Sequence, residues 1–254
     1  MKIQLFAGAL ILASMGRAHA ADPVVAVGEE AFSWDGSYIG ANIGYGWGTS
    51  TIHDSEYNVN LPNFPPFSFD FDSKGMLGGL QFGHNWQRGN LVYGLEGDLG
   101  YLNLKGSGWP GLDPTDAPYD TYGITKGGWY AGLAARLGYA SDHTLFYLKG
   151  GAVYSAGKFG YVDSCSGDFE NPLGCGPSLF DAWDRIGWGY QVGAGVEHAL
   201  NNHWTVKLEY AYLDFGSSKP SDVVTGGGEY VDQLLHVDGD LSAHTIKLGI
   251  NYKF

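Results

Sequence analysis

H-T-I-K-L-G-I-N-Y-K-F, residues 244–254, alternates without a break. Ile246, Leu248, Ile250, Tyr252 and Phe254 take every second position, and Thr245, Lys247, Gly249, Asn251 and Lys253 fill the gaps. Side chains on a strand point alternately to opposite faces, so this segment has one apolar face and one polar or small face. A strand of this kind at the edge of a soluble sheet invites aggregation. As the closing strand of a membrane barrel, it turns its apolar face to lipid.

The same alternation recurs along the chain, near residues 34–47, 75–87, 91–103, 127–140, 144–157, 186–199, 204–215 and 242–254. Each segment has the roughly 9–11 residues that a tilted strand needs to cross a bilayer, with a small overhang. Arg88-Gly89-Asn90, Ser141-Asp142-His143 and Leu200-Asn201-Asn202-His203 read as short turns. The stretches 48–74, 104–126, 158–185 and 216–241 are long, polar and rich in Gly, Pro and Asp. Short and long connections alternate strictly, as short periplasmic turns and long outer loops do. The expected fold is therefore all-β: an eight-stranded antiparallel transmembrane up-and-down β-barrel with four long outer loops. Both termini would lie in the periplasm, and residues 34–254 would form the barrel.

Composition agrees with this class. The 254 residues include 41 glycines and 15% aromatics, without long apolar runs, which suits β-barrels. Residues 1–20 read as a signal peptide: Lys2 is followed by a mostly apolar run from Ile3 to Met15, then by Ala18-His19-Ala20 at the cleavage position. Residues 21–33 would then be a periplasmic lead-in. The net charge of −13 becomes more negative once Lys2 and Arg17 leave with the signal. No run of lysines and arginines in the sequence offers a grip for phosphate backbones, which argues against nucleic acid as a partner. Cys165 and Cys175, close together in a polar loop of an exported chain, read as a disulfide. Closing so short a loop stabilises by at most about 3 kcal/mol.

Strand parity assigns the two faces. The lipid side carries Ile39, Ile43, Tyr45 and Trp47, then Met76, Leu80, Phe82 and Trp86. It continues through Leu91, Leu95, Leu99 and Tyr101, then Trp129, Leu133, Leu137 and Tyr139, then Phe146, Leu148 and Tyr154. Ile186, Trp188, Tyr190 and Val192, followed by Trp204, Leu208, Tyr210 and Tyr212, complete it. Aromatics gather near strand ends, where interface girdles lie. The inner face is small and polar, with Asn42, Gln81, Asn85, Gln191 and Asn251 among many glycines. It also carries four acids, Glu96, Asp98, Glu197 and Glu209, and four bases, Arg136, Lys149, Lys207 and Lys247. Unpaired charge inside a narrow barrel is costly, while a balanced set can pair. Eight strands enclose just enough room for side chains to fill. The expectation is a lumen plugged by salt bridges, with a narrow polar pore as the alternative.

These residues carry a resemblance. F-S-W-D-G-S-Y-I-G-A-N-I-G-Y-G-W-G at 32–48 resembles the opening strand of the outer-membrane β-barrel surface antigens of alphaproteobacteria, the outer membrane immunogenic protein or porin-like family. G-G-L-Q-F-G-H-N-W-Q-R-G-N-L-V-Y-G-L-E-G-D at 78–98 resembles that family's second hairpin. A-A-R-L-G-Y-A at 134–140, Y-L-K-G-G-A-V-Y at 147–154, V-G-A-G-V-E-H-A-L at 192–200 and K-L-E-Y-A-Y-L-D-F-G at 207–216 follow in its order. The resemblance implies an abundant, surface-exposed outer-membrane barrel with a structural or antigenic role, some members being described as porins or haem binders. It also implies that Phe254 is the terminal aromatic read by the barrel-insertion machinery. Outer-membrane lipid and lipopolysaccharide are the expected surroundings, and host or peptidoglycan-associated partners are not specified.

The predicted loops hold most of the acid, including Asp54, Glu56, Asp70, Asp72, Asp163, Asp168, Asp238 and Asp240. A charged, solvated crown accounts for them. Divalent cation capture beside lipopolysaccharide phosphates is the functional alternative, but no EF-hand spacing occurs, so no metal site is expected. Phe64, Phe67, Phe69 and Phe71 form an apolar tract that covers the barrel mouth or extends the second strand. His53 and His236 are positioned for haem capture by an outer loop, yet no cofactor is expected. Ser242 and His244, near Asp238 and Asp240, are the best candidates for a hydrolase, and two residues two apart on a strand are weak grounds for one. The expected function is a non-enzymatic surface antigen with an envelope-structural role. A narrow porin, or a loop-based haem or cation receptor or adhesin, is the alternative.

Overall fold

In the computed structural model, residues 32–54, 67–111, 121–163, 180–223 and 234–254 are described. Cys165, Cys175, Phe64 and the 1–20 segment lie outside them. Twelve strands form among the described residues: β1 (Gly36–Asp54), β2 (Phe67–Arg88), β3 (Leu91–Leu102), β4 (Gly106–Gly108), β5 (Thr121–Lys126), β6 (Gly128–Ser141), β7 (Thr144–Asp163), β8 (Phe180–Ala199), β9 (Trp204–Ser218), β10 (Ser221–Val223), β11 (Leu234–His236) and β12 (Asp238–Lys253).

Eight of them close a ring in the order β1, β2, β3, β6, β7, β8, β9 and β12, all pairings antiparallel. The closing strand pairs with both expected neighbours. Ile246 lies opposite Tyr45 on one side and Tyr210 on the other. A ring leaves no free edge, which answers the hazard of an apolar edge strand. β4 and β5 continue the lines of β3 and β6 after short breaks, and β5 pairs with the far half of β7.

The outward apolar residues are where parity places them, with one correction. Trp188, Leu148 and Trp129 are 73%, 65% and 63% exposed. Ile186, outward by parity, is instead buried inside the ring. Between Ser155 and Lys158 the β7–β8 register shifts, so β7 uses one residue more than β8. Gly187 takes a left-handed φ of 81° there. The bulge breaks simple alternation in β8, turning Ile186 inward while Trp188 stays outward.

A second correction concerns length. Four ring strands run 19–22 residues, well into the stretches whose composition suggests loops. Their far ends keep the alternation but invert its polarity. In β2, Ser68, Asp70, Asp72 and Lys74 face out, while Phe69 and Phe71 face in. In β7, Lys158 faces out and Phe159 and Tyr161 face in. Apolar residues face out where the surroundings are apolar, and in where they are aqueous. A polar outward face makes such a segment look like a loop.

The interior is therefore layered. At the long-loop end, Ile52, Phe71, Leu102, Leu104, Val153, Phe159, Leu213 and Phe215 belong to one apolar cluster. Phe71 and Phe159 stack with centroids 6.3 Å apart. At the short-turn end, Phe32, Trp34, Val92, Leu145 and Tyr147 belong to a second. Trp34 falls in the first strand by its sequence. In the structure it precedes β1, with its backbone N–H donating to the Gln87 side-chain oxygen at 2.6 Å and its ring in edge contact with Phe32. Between the two apolar layers lies the charge.

Candidate functional site

Adjacent strands place all eight inner charges at one level of the ring. Glu96 and Asp98 come from β3, Arg136 from β6, Lys149 from β7, Glu197 from β8, Lys207 and Glu209 from β9, and Lys247 from β12. Each is at least 96% buried. β1 and β2 add no ionised group here. Their inner faces are glycine-rich and carry Asn42 and Gln81, which leaves room for long side chains from the opposite wall.

Glu96 is the hub. Its carboxylate meets Arg136 Nη1 at 3.3 Å, Lys149 Nζ at 3.0 Å and Lys207 Nζ at 3.0 Å, and accepts a hydrogen bond from the Tyr38 hydroxyl at 2.8 Å. Arg136 reaches across to Glu197 at 2.7 Å, and its guanidinium lies 3.9 Å from the Tyr147 ring centroid. Lys149 also contacts Asp98 at 3.2 Å and Glu209 at 2.9 Å. Lys207 lies 3.6 Å from Glu209, and Lys247 lies 3.5 Å from both Asp98 and Glu209.

Two features of this arrangement are not visible in the strand pattern. Arg136 and Lys149 are direct cross-strand partners of like charge, which by itself destabilises. Both turn instead onto the shared Glu96, which offsets the repulsion. Neutral side chains then extend the network: Asn251 donates to Glu197 at 2.7 Å, Gln81 to Asn251 at 2.6 Å, and Asn42 to Gln81 at 2.7 Å. Glycines hold the space open. A Cβ on Gly195 would overlap the Tyr147 ring, and one on Gly249 would press on Gln81 and Lys207. Tyr147 and Tyr38 are members that the strand pattern does not single out. Their inward parity is the available signal, masked because most tyrosines in the chain face outward.

The candidates for chemistry go elsewhere. His244 belongs to an outward aromatic group, with Nδ1 2.7 Å from the Tyr210 hydroxyl and its ring stacked on Trp47. Asp240 accepts from Ser217 and lies 3.9 Å from the exposed His53, while Asp238 pairs with Lys219. No acid–His–Ser relay is assembled among the described residues. The side chain of His236 lies outside the description, so the His53–His236 pair is not placed. Phe254 is exposed, its N–H bonded to the Ser37 carbonyl at 3.0 Å.

Residues 7–254 match the family model for the outer membrane protein beta-barrel domain. The chain is 33% identical over 228 residues to the 31 kDa outer-membrane immunogenic protein of Brucella melitensis biotype 1, covering 89% of this chain and 85% of that one. It is 30% identical to the 22 kDa outer membrane protein of Rhizobium leguminosarum bv. viciae, over 88% of this chain and 80% of that one. It is 31% identical to the 25 kDa outer-membrane immunogenic protein of Brucella canis, over 100% of this chain and 99% of that one.

Proposed function

The chain belongs to the outer membrane protein beta-barrel domain family, and from that membership we propose that it is a non-enzymatic, surface-exposed envelope protein whose lumen is closed by paired charge. It resides in the outer membrane of a Gram-negative bacterium. In this reading the short turns and both termini face the periplasm, and the long-loop end faces outward. The observation that carries it is the cross-linked layer of Glu96, Asp98, Arg136, Lys149, Glu197, Lys207, Glu209 and Lys247, with an apolar layer on each side. An ion crossing this ring would have to break several buried pairs and also pass both apolar layers, Phe71 and Phe159 at one end and Phe32 and Trp34 at the other. Eight strands leave no spare bore for a bypass. Two of the three relatives are named outer-membrane immunogenic proteins and the third an outer membrane protein, which agrees with a surface-exposed role.

Planar-bilayer recording tests this directly. Purified, refolded protein is expected to give no steady conductance at neutral pH in molar salt. A reproducible open channel of constant size would replace this reading with a narrow diffusion pore.

A further inference from the structure

Outside the ring, five exposed cations line up in register. Lys74 and Lys105 bridge β2 to the start of β4 with reciprocal backbone hydrogen bonds of 3.0 and 3.1 Å. The β4–β5 ladder ends on Gly106 opposite Thr125, so its next step sets Lys105 beside Lys126. Lys126 lies opposite Lys158, and Lys158 opposite Arg185. The row thus crosses five neighbouring strand segments, and neighbours in a sheet are about 4.8 Å apart. All five side chains are exposed.

Like charges directly opposite each other destabilise a sheet, so an uninterrupted row of them calls for a counter-charge. The protein does not supply one among the described residues. Asp72, Asp181 and Asp184, on the same strands, form no ion pair with these cations. Asp184 accepts instead from Ser218, and Asp181 from the Trp183 indole, while Lys126 lies 3.8 Å over the Trp183 ring. The opposite arc of the barrel is built differently. There Asp214 is capped by the Tyr190 and Tyr212 hydroxyls, and Asp240 by Ser217.

The height of the row selects the occupant. Lys105, Lys126, Lys158 and Arg185 stand three or four residues from Tyr101, Trp129, Tyr154 and Trp188, the outward aromatics of their strands, on the long-loop side. That is roughly 10–13 Å along a strand, which reaches from the aromatic belt to the headgroup layer. It is also where the outward face changes from apolar to charged. We propose that Lys74, Lys105, Lys126, Lys158 and Arg185 bind the phosphate groups of a phosphorylated glycolipid in the outer leaflet. Lysine and arginine on one face match multiply charged phosphate oxygens. This site does not depend on whether the lumen is closed.

The test uses the refolded full barrel in neutral detergent, with bisphosphorylated lipid A, dephosphorylated lipid A and inorganic phosphate as probes. Charged lipid surfaces contribute about fivefold in affinity per nearby cation, so Lys105→Gln, Lys126→Gln and Lys158→Gln together should weaken bisphosphorylated lipid A binding by roughly a hundredfold. Lys158→Gln alone should cost about fivefold, and this single change decides the matter even if the triple variant refolds poorly. Heat resistance of the triple variant in lipid-free detergent should stay level or rise, because mutual repulsion is relieved. Equal affinity of parent and variants for bisphosphorylated lipid A would overturn the proposal. So would equal binding of the dephosphorylated lipid by the parent, or displacement of the lipid by equimolar inorganic phosphate.

Discussion

A barrel carrying Glu96→Leu should lose its heat resistance in detergent, with an unfolding free energy lower by about 3–5 kcal/mol. Among the described residues, Glu96 is the only acid that touches Arg136, Lys149 and Lys207 together. Leucine is no smaller than glutamate, so the cost comes from stranded charge and not from a cavity. Arg136 keeps Glu197, and Lys149 keeps Asp98 and Glu209, but Lys207 is left with Glu209 alone at 3.6 Å. Removing one partner of a buried set is far worse than never having the set. The converse substitution, Lys207→Met, should lower heat resistance in the same direction and by less, since Glu96 retains two cations. The double variant should fall short of the summed losses, because each change removes the charge the other one strands. The shift from the compact to the unfolded band on semi-native gels reads this out. Unchanged mobility and midpoint for Glu96→Leu would mean that the inner charges are well hydrated, and the closed-lumen reading would fall with that result.

Phe159→Ala should be nearly as costly, at about 3–5 kcal/mol for a buried aromatic cut to alanine, but its damage should be local. Phe159 is 1% exposed, stacks on Phe71 and covers Gly239, all in the apolar layer at the long-loop end. The charge layer and the short-turn cluster lie on the other side of it and do not use this ring. The far ends of β7 and β8 should therefore loosen while the rest of the ring stays closed. Limited trypsin digestion would show it: new cleavage at Lys126, Lys158 and Arg185, with the membrane-embedded part protected. Cleavage spread evenly through the ring, or none above the parent level, would show that the far ends are not held by this layer.

The alternation of 244–254 is readable because a strand's two faces are a local property of the pleat. The same rule places Ile39, Leu80, Leu133, Leu148 and Trp188 on the outside, where the structure exposes them. It fails at Ile186, where the phase of β8 moves at Gly187 and the β7–β8 register shifts. One glycine among several in β8 does not announce the break. It also stops too early along β2, β7 and β8. Phe69, Phe71, Phe159 and Tyr161 keep perfect alternation, but their outward partners are polar, and polarity resembles a loop. The tract around Phe71 does extend the second strand, one of the two roles its alternation allows, with Phe69 and Phe71 facing inward.

Local alternation was enough to read the class of the fold and the number of ring strands. Both follow from the period of two and from the spacing of turns, and these survive any choice of partner. Which residue meets which is set by packing in three dimensions. That Glu96 serves three cations, that Arg136 lies opposite Lys149, and that Lys74, Lys105, Lys126, Lys158 and Arg185 share one row are facts of register. Register joins residues tens of positions apart, and the ring fixes it only when every strand has closed on its neighbours. The point where apolar turns from outside to inside is likewise set by where the surroundings change, which no single strand encodes.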